Sequence, residues 1–152
     1  MEIKKNLMKK KKNYERYVIR EAIECTAARL YNGNFIRSNK NELMDYASKI
    51  DSLKVDSLLR VKEDITLHAS LVNLAGISSL TREFLRASRI GTFYMMHQVT
   101  FNKNTTLMSH VELIENLVTD DPDKAEKIIR EHIWSNKLAT YKQYLFPDHK
   151  IV

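Results

Sequence analysis

At 152 residues and 43% hydrophobic content, the chain has the size of one ordinary domain and enough apolar material for a single continuous core. Its formal charge of +6 is gathered at the start, where Lys4, Lys5 and Lys9 to Lys12 put six positive charges in the first dozen residues. Such a cluster, with no base-reading element beside it, reads as a solvated tail or the start of a helix rather than a nucleic-acid surface. Cys25 is the only cysteine, which excludes an intrachain disulfide, and neither a secretory leader nor a membrane-spanning apolar run is evident, so a cytoplasmic chain is expected.

Three glycines and two prolines leave long helices joined by short turns as the natural organisation, predicting an all-α fold, an antiparallel bundle of about six helices. Residues 1–12 read as a basic N-terminal tail or remnant linker, 13–146 as one helical domain, and 147–152 as a C-terminal tail. The first helix is predicted from about Asn13 to Asn32, with Tyr17, Ile23, Ala27 and Leu30 buried and Asn32-Gly33 as a left-handed stop. Cys25 falls on it among Ala22, Ile23 and Ala28, as a small buried thiol rather than a nucleophile. Asn34 to Ser38 reads as a loop. Asn39 with Glu42 three residues later resembles a capping box that opens a short second helix through Leu43, Tyr46, Ala47 and Ile50.

Asp51 or Ser52 is then the expected cap of a third helix, with Leu58, Val61, Ile65, Leu71, Val72 and Ala75 on its apolar stripe and Gly76 at its end. A fourth, from about Ser79 to His97, carries Leu80, Phe84, Leu85, Ile90, Phe93, Tyr94 and Met95, enough large apolar groups to be central or to face a partner chain. The fifth has Leu107, His110, Ile114 and Leu117 at helical spacing. The sixth opens at Asp121-Pro122, a capping residue followed by proline at the first helical position, and continues through Ala125, Ile128, Ile129, His132 and Ile133.

Asp64, His68, His110 and His132 thus fall on the apolar faces of three helices. Asp64 and His68 are four apart, a spacing that places two ligands of one ion on the same helix face. A single histidine on such a face is usually a hydrogen-bonded core residue, and an aspartate there needs a cation or a metal. Three imidazoles and one carboxylate form a donor set suited to Zn²⁺, Ni²⁺, Mn²⁺ or Fe²⁺ rather than Ca²⁺ or a soft copper site. His97 and His149 lack a seam position and read as partly exposed polar residues.

The order Asp64-Ile-Thr-Leu-His68, Leu71-Val-Asn-Leu-Ala-Gly76, His110-Val-Glu-Leu-Ile and Asp121-Pro-Asp-Lys-Ala125 leading to Arg130-Glu-His132 resembles the FCD effector domain of GntR-type transcription regulators of the FadR group. Arg20-Glu-Ala-Ile-Glu24-Cys-Thr-Ala-Ala28 belongs to the same resemblance, which spans about residues 14–140. It implies a helical bundle that pairs as a homodimer and binds a small carboxylate metabolite beside a metal held by Asp64, His68, His110 and His132. Arg20, and less strongly Arg89, are then candidates for the effector's carboxylate. The chain departs from the family pattern at Leu67, where an aromatic is usual, and at Ile77, where asparagine is usual. The winged helix-turn-helix that normally precedes such a domain is not in this sequence, so DNA contact is expected only through such a domain elsewhere.

The expected function is a metal-dependent sensing and dimerisation domain, not an enzyme. A metalloenzyme is the alternative, weakened by the lack of any Glu-x-x-His or His-Glu-x-x-His motif. Glu63 and Glu131 adjoin ligands in sequence, but helix neighbours point about 100° apart. A metal-free helical interaction module is the third reading.

Overall fold

The computed structural model describes residues 1–31, 33–54, 57–88 and 108–134, and every regular element among them is a helix. In chain order these are α1 (Glu2–Leu30), α2 (Gly33–Ser38), α3 (Lys40–Ser52), α4 (Leu58–Asn73), α5 (Ser78–Ala87), α6 (His110–Leu117) and α7 (Pro122–Trp134). Arg89, His97, His149 and the apolar residues from Ile90 to Met95 lie outside the described residues, as does the continuation of the last helix toward Tyr141 and Leu145.

Helix α1 starts at Glu2 rather than Asn13, so the lysine cluster forms its opening turns, with Lys4, Lys5, Lys11 and Lys12 exposed. Tyr17, Ile23 and Ala27 are buried as the periodicity requires, whereas Leu30 is half-exposed and Tyr31 takes the buried position at the helix end. Gly33 is not a left-handed stop. It begins α2, in the stretch expected to be a loop, and its glycine identity answers to a close approach: a Cβ there would lie 2.6 Å from the backbone oxygen of Thr119. Gly76 does adopt the left-handed region, with φ 72°, and ends the α4 turn as expected.

The caps differ from expectation in an informative way. The Asn39 side chain donates back to Phe35 O at 2.8 Å instead of capping α3, so no capping box forms. Ser57, not Asp51 or Ser52, caps α4, its Oγ accepting from the Arg60 N–H at 3.1 Å. Ser109 caps α6 by accepting from Glu112 N–H, and the Asp121 carboxylate accepts from the N–H groups of Asp123 and Lys124 just before α7, as predicted.

Helix α1 packs against α4, α5 and α7; α7 packs on α6, α6 on α3, and α3 on α4, which closes a ring of five helices. Val61, Ile65, Leu67, Leu71 and Val72 of α4 are all buried, each contributing about 1.5–3 kcal/mol of apolar transfer. Leu58, at the exposed start of the helix, and Leu85 on α5 are instead half-exposed, while Phe84 is fully buried. Cys25 is buried, and its thiol faces Glu126 O on α7 at 3.8 Å.

Candidate metal centre

The interior of this ring is where the four singled-out residues meet. Asp64 and His68 lie one turn apart on α4, His110 is the first residue of α6, and His132 stands near the end of α7. One potential ligand atom from each lies within 4.8 Å of all the others. Asp64 Oδ1 is 2.8 Å from His110 Nε2 and 3.2 Å from His68 Nε2, and His68 Nε2 is 3.2 Å from His132 Nε2. The His68 and His132 rings stack with centroids 5.0 Å apart, and His110 meets His132 edge-on at 5.1 Å.

These separations suit one ion. Zinc bonds of 2.0–2.1 Å in tetrahedral array put neighbouring ligand atoms about 3.3 Å apart, close to the shorter distances here. The donor chemistry fits as well, because the three imidazoles and the carboxylate all present nitrogen or oxygen to the same small volume.

Two further carboxylates complete the surroundings. The Nδ1 atom of His68 contacts Glu24 Oε1 of α1, and Arg20, one turn earlier, donates to the other oxygen of Glu24. The Nδ1 atom of His110 lies 2.8 Å from Asp51 Oδ1, at the last turn of α3. Both rings therefore direct Nε2 at Asp64 while Nδ1 is held by a carboxylate from another helix, an arrangement typical of metal-ligating histidines.

Arg20 is buried, bonded to Glu24 and lying near the Tyr17 and Phe84 rings, so the structure places this expected effector-binding residue behind the histidine cluster. Glu24 and Asp51 are the members of the site that sequence reasoning missed. Glu24 carried a readable signal, since Tyr17, Arg20, Glu24, Ala28 and Tyr31 recur at three and four residues and all are buried. Glu63 and Glu131 are turned to other partners: Glu63 accepts from Tyr46 and lies 3.7 Å from Lys49 Nζ, and Glu131 lies 3.8 Å from Lys127 Nζ.

The metal-free electrostatics are those of a compressed charge network. Burial alone would raise the Asp64 carboxyl, but His68 and His110 hold it well below the usual range. Burial opposes charge on His110, yet its bonds to Asp51 and Asp64 push it up to about 9. His68 is likewise raised against its burial, by Glu24 and Asp64, while Glu24 is lowered against its burial by Arg20 and His68. Burial and the two neighbouring imidazoliums drive His132 well below the ordinary histidine value. The result is an ionised Asp64 carboxylate, a protonated His110 ring, a neutral His132 ring and a His68 ring shifted toward its cationic form, where an entering divalent cation would displace protons.

The FCD domain family matches residues 15–134. The chain belongs to the FCD family. No curated protein and no solved structure gives a match. FCD domains are the effector-sensing domains of GntR-type transcription regulators, ligand-binding rather than enzymatic, which agrees with the all-α architecture here. Among the described residues no helix is long and apolar enough to cross a membrane.

Proposed function

We propose that this FCD domain is a metal-dependent sensor of a small organic acid and the dimerisation unit of a cytoplasmic GntR/FadR-type regulator. The supporting observation is the Asp64, His68, His110 and His132 cluster enclosed by the helical ring, with two of its rings backed by carboxylates. These four residues are the ligands on this reading. A bound Zn²⁺, Ni²⁺, Mn²⁺ or Fe²⁺ supplies a Lewis-acidic centre with positions open to a carboxylate.

The charges around the site favour an anionic effector. A divalent ion, the carboxylates of Asp64, Glu24 and Asp51, and the guanidinium groups of Arg20 and Arg60 leave one positive charge in excess. Arg20, which is paired with Glu24, and less strongly Arg89 are the candidates for the effector's carboxylate. Effector binding biases the population of bundle arrangements and thereby the spacing of the two DNA-reading modules in a homodimer. DNA contact belongs to a winged helix-turn-helix module outside these 152 residues.

Thermal denaturation tests the reading. The melting temperature should rise when the chelated protein is reloaded with zinc and rise again with a matching small carboxylate, by the equivalent of about 2.7 kcal/mol at a hundredfold excess over Kd. Both increments should vanish in Asp64→Ala/His132→Ala. Carboxylate stabilisation that survives both chelation and the double substitution would overturn the metal-dependent part of the proposal.

A further inference from the structure

Asp51 lies in the last turn of α3, where its sequence position made it a candidate cap for the following helix, but its carboxylate reaches across the bundle to α6. Its Oδ1 accepts from the His110 backbone N–H at 3.0 Å and lies 2.8 Å from that residue's ring Nδ1, while its Oδ2 accepts from the Val111 N–H at 3.0 Å. One carboxylate thus satisfies two of the open N–H groups at the start of α6 and fixes the ring of the first residue in that helix. Asp51 is itself held in place. Arg60 of α4 donates to Ile50 O at 3.1 Å and Leu53 O at 2.8 Å on either side of it, with another guanidinium nitrogen 3.8 Å from Asp51 Oδ1.

From this geometry we infer that Asp51 is a positioning residue of the metal centre: it holds His110 with Nδ1 protonated and Nε2 directed at the ion, and joins that ring to the junction of α3, α4 and α6. The inference rests on the metal-centre reading above. It goes further in assigning a role to a residue that touches no metal. A carboxylate that binds only the backbone of α6 would be a helix cap. Here the same oxygen that caps also meets the ring, so the backbone and imidazole of His110 are fixed as a unit. Rotation of the ring away from Asp64 would break the Nδ1 contact, and displacement of the helix start would break both backbone bonds. The position of His110 at the centre is therefore coupled to the end of α3, because its ring or backbone moves away only by breaking a bond to Asp51 or by carrying Asp51 with it.

Ser109 provides the matched control, since its Oγ caps the same helix through the Glu112 N–H, one residue before His110, without being the ring's partner. Zinc affinity is measured by competition with a chromogenic chelator for wild type, Asp51→Ala, the milder Asp51→Asn and Ser109→Ala. Histidine nitrogen shifts are recorded on the zinc-loaded proteins. The expected result is a loss of affinity of about 10–100-fold in Asp51→Ala, a smaller loss in Asp51→Asn, and wild-type affinity in Ser109→Ala. The His110 Nδ1 resonance should move in the Asp51 variants alone. Unchanged affinity and an unchanged His110 resonance in a folded Asp51→Asn protein would make Asp51 a helix cap only and overturn the inference while leaving the metal centre standing. A wild-type chain that takes up no zinc would overturn both.

Discussion

Zinc entering the centre should expel protons, and their number follows from the charges around Asp64. In the metal-free chain the carboxylate is ionised, His132 is neutral, and His110, raised to about 9, is almost fully protonated near pH 7.5. His68, raised by Glu24 and Asp64 against its burial, adds up to one more proton. Ligation requires neutral imidazoles, so each zinc ion should release between about one and two protons at that pH. The sign follows from the raised folded value. The stability contributed by the His110 imidazolium is complete below the unfolded histidine value near 6.5 and is lost as pH climbs through about 9. Zinc competes with that proton, so its affinity should strengthen across the same window and level off above it. Titration calorimetry in two buffers of different ionisation enthalpy yields the proton count directly, and repeating it between about pH 6.5 and 9 yields the slope. Zinc uptake without proton release, or an affinity flat across that range, would refute the picture of a protonated His110 ring awaiting a metal.

Gly33→Ala should destabilise the chain by about 1–3 kcal/mol, because the added methyl meets the backbone of Thr119, which has no rotamer to yield. The urea midpoint reads this at unchanged slope, and a neutral or stabilised variant would contradict the close approach of α2 to the segment before α7. Cys25, whose thiol burial pushes up to about 12, should resist iodoacetamide in the native protein near pH 8 and react fully once unfolded. Rapid native labelling would contradict its placement between α1 and α7.

Asp64, His68, His110 and His132 were legible because their positions repeat at helical spacing among large apolar residues, and that pattern survives in any bundle that buries those faces. Asp51 was not legible, since a carboxylate between two helical stretches reads locally as a cap for the next helix. Its actual partners stand 59 and 60 residues later, and only the packing of α3 on α6 brings them together. Helix α2 was hidden by turn-forming Asn32, Gly33 and Asn34, although Gly33 serves proximity rather than backbone conformation. The polar character of Arg20 and Glu24 concealed their burial: Glu24 meets the charge of Arg20, and Arg20 and His68 together meet that of Glu24.

Metal content tests the central claim most directly. Elemental analysis of the purified, untagged chain beside Asp64→Ala/His132→Ala should find about one transition-metal ion per wild-type chain and none in the variant. A wild-type chain that holds no metal even after reconstitution, or a variant that holds as much, would contradict the assignment of this histidine cluster as a metal centre.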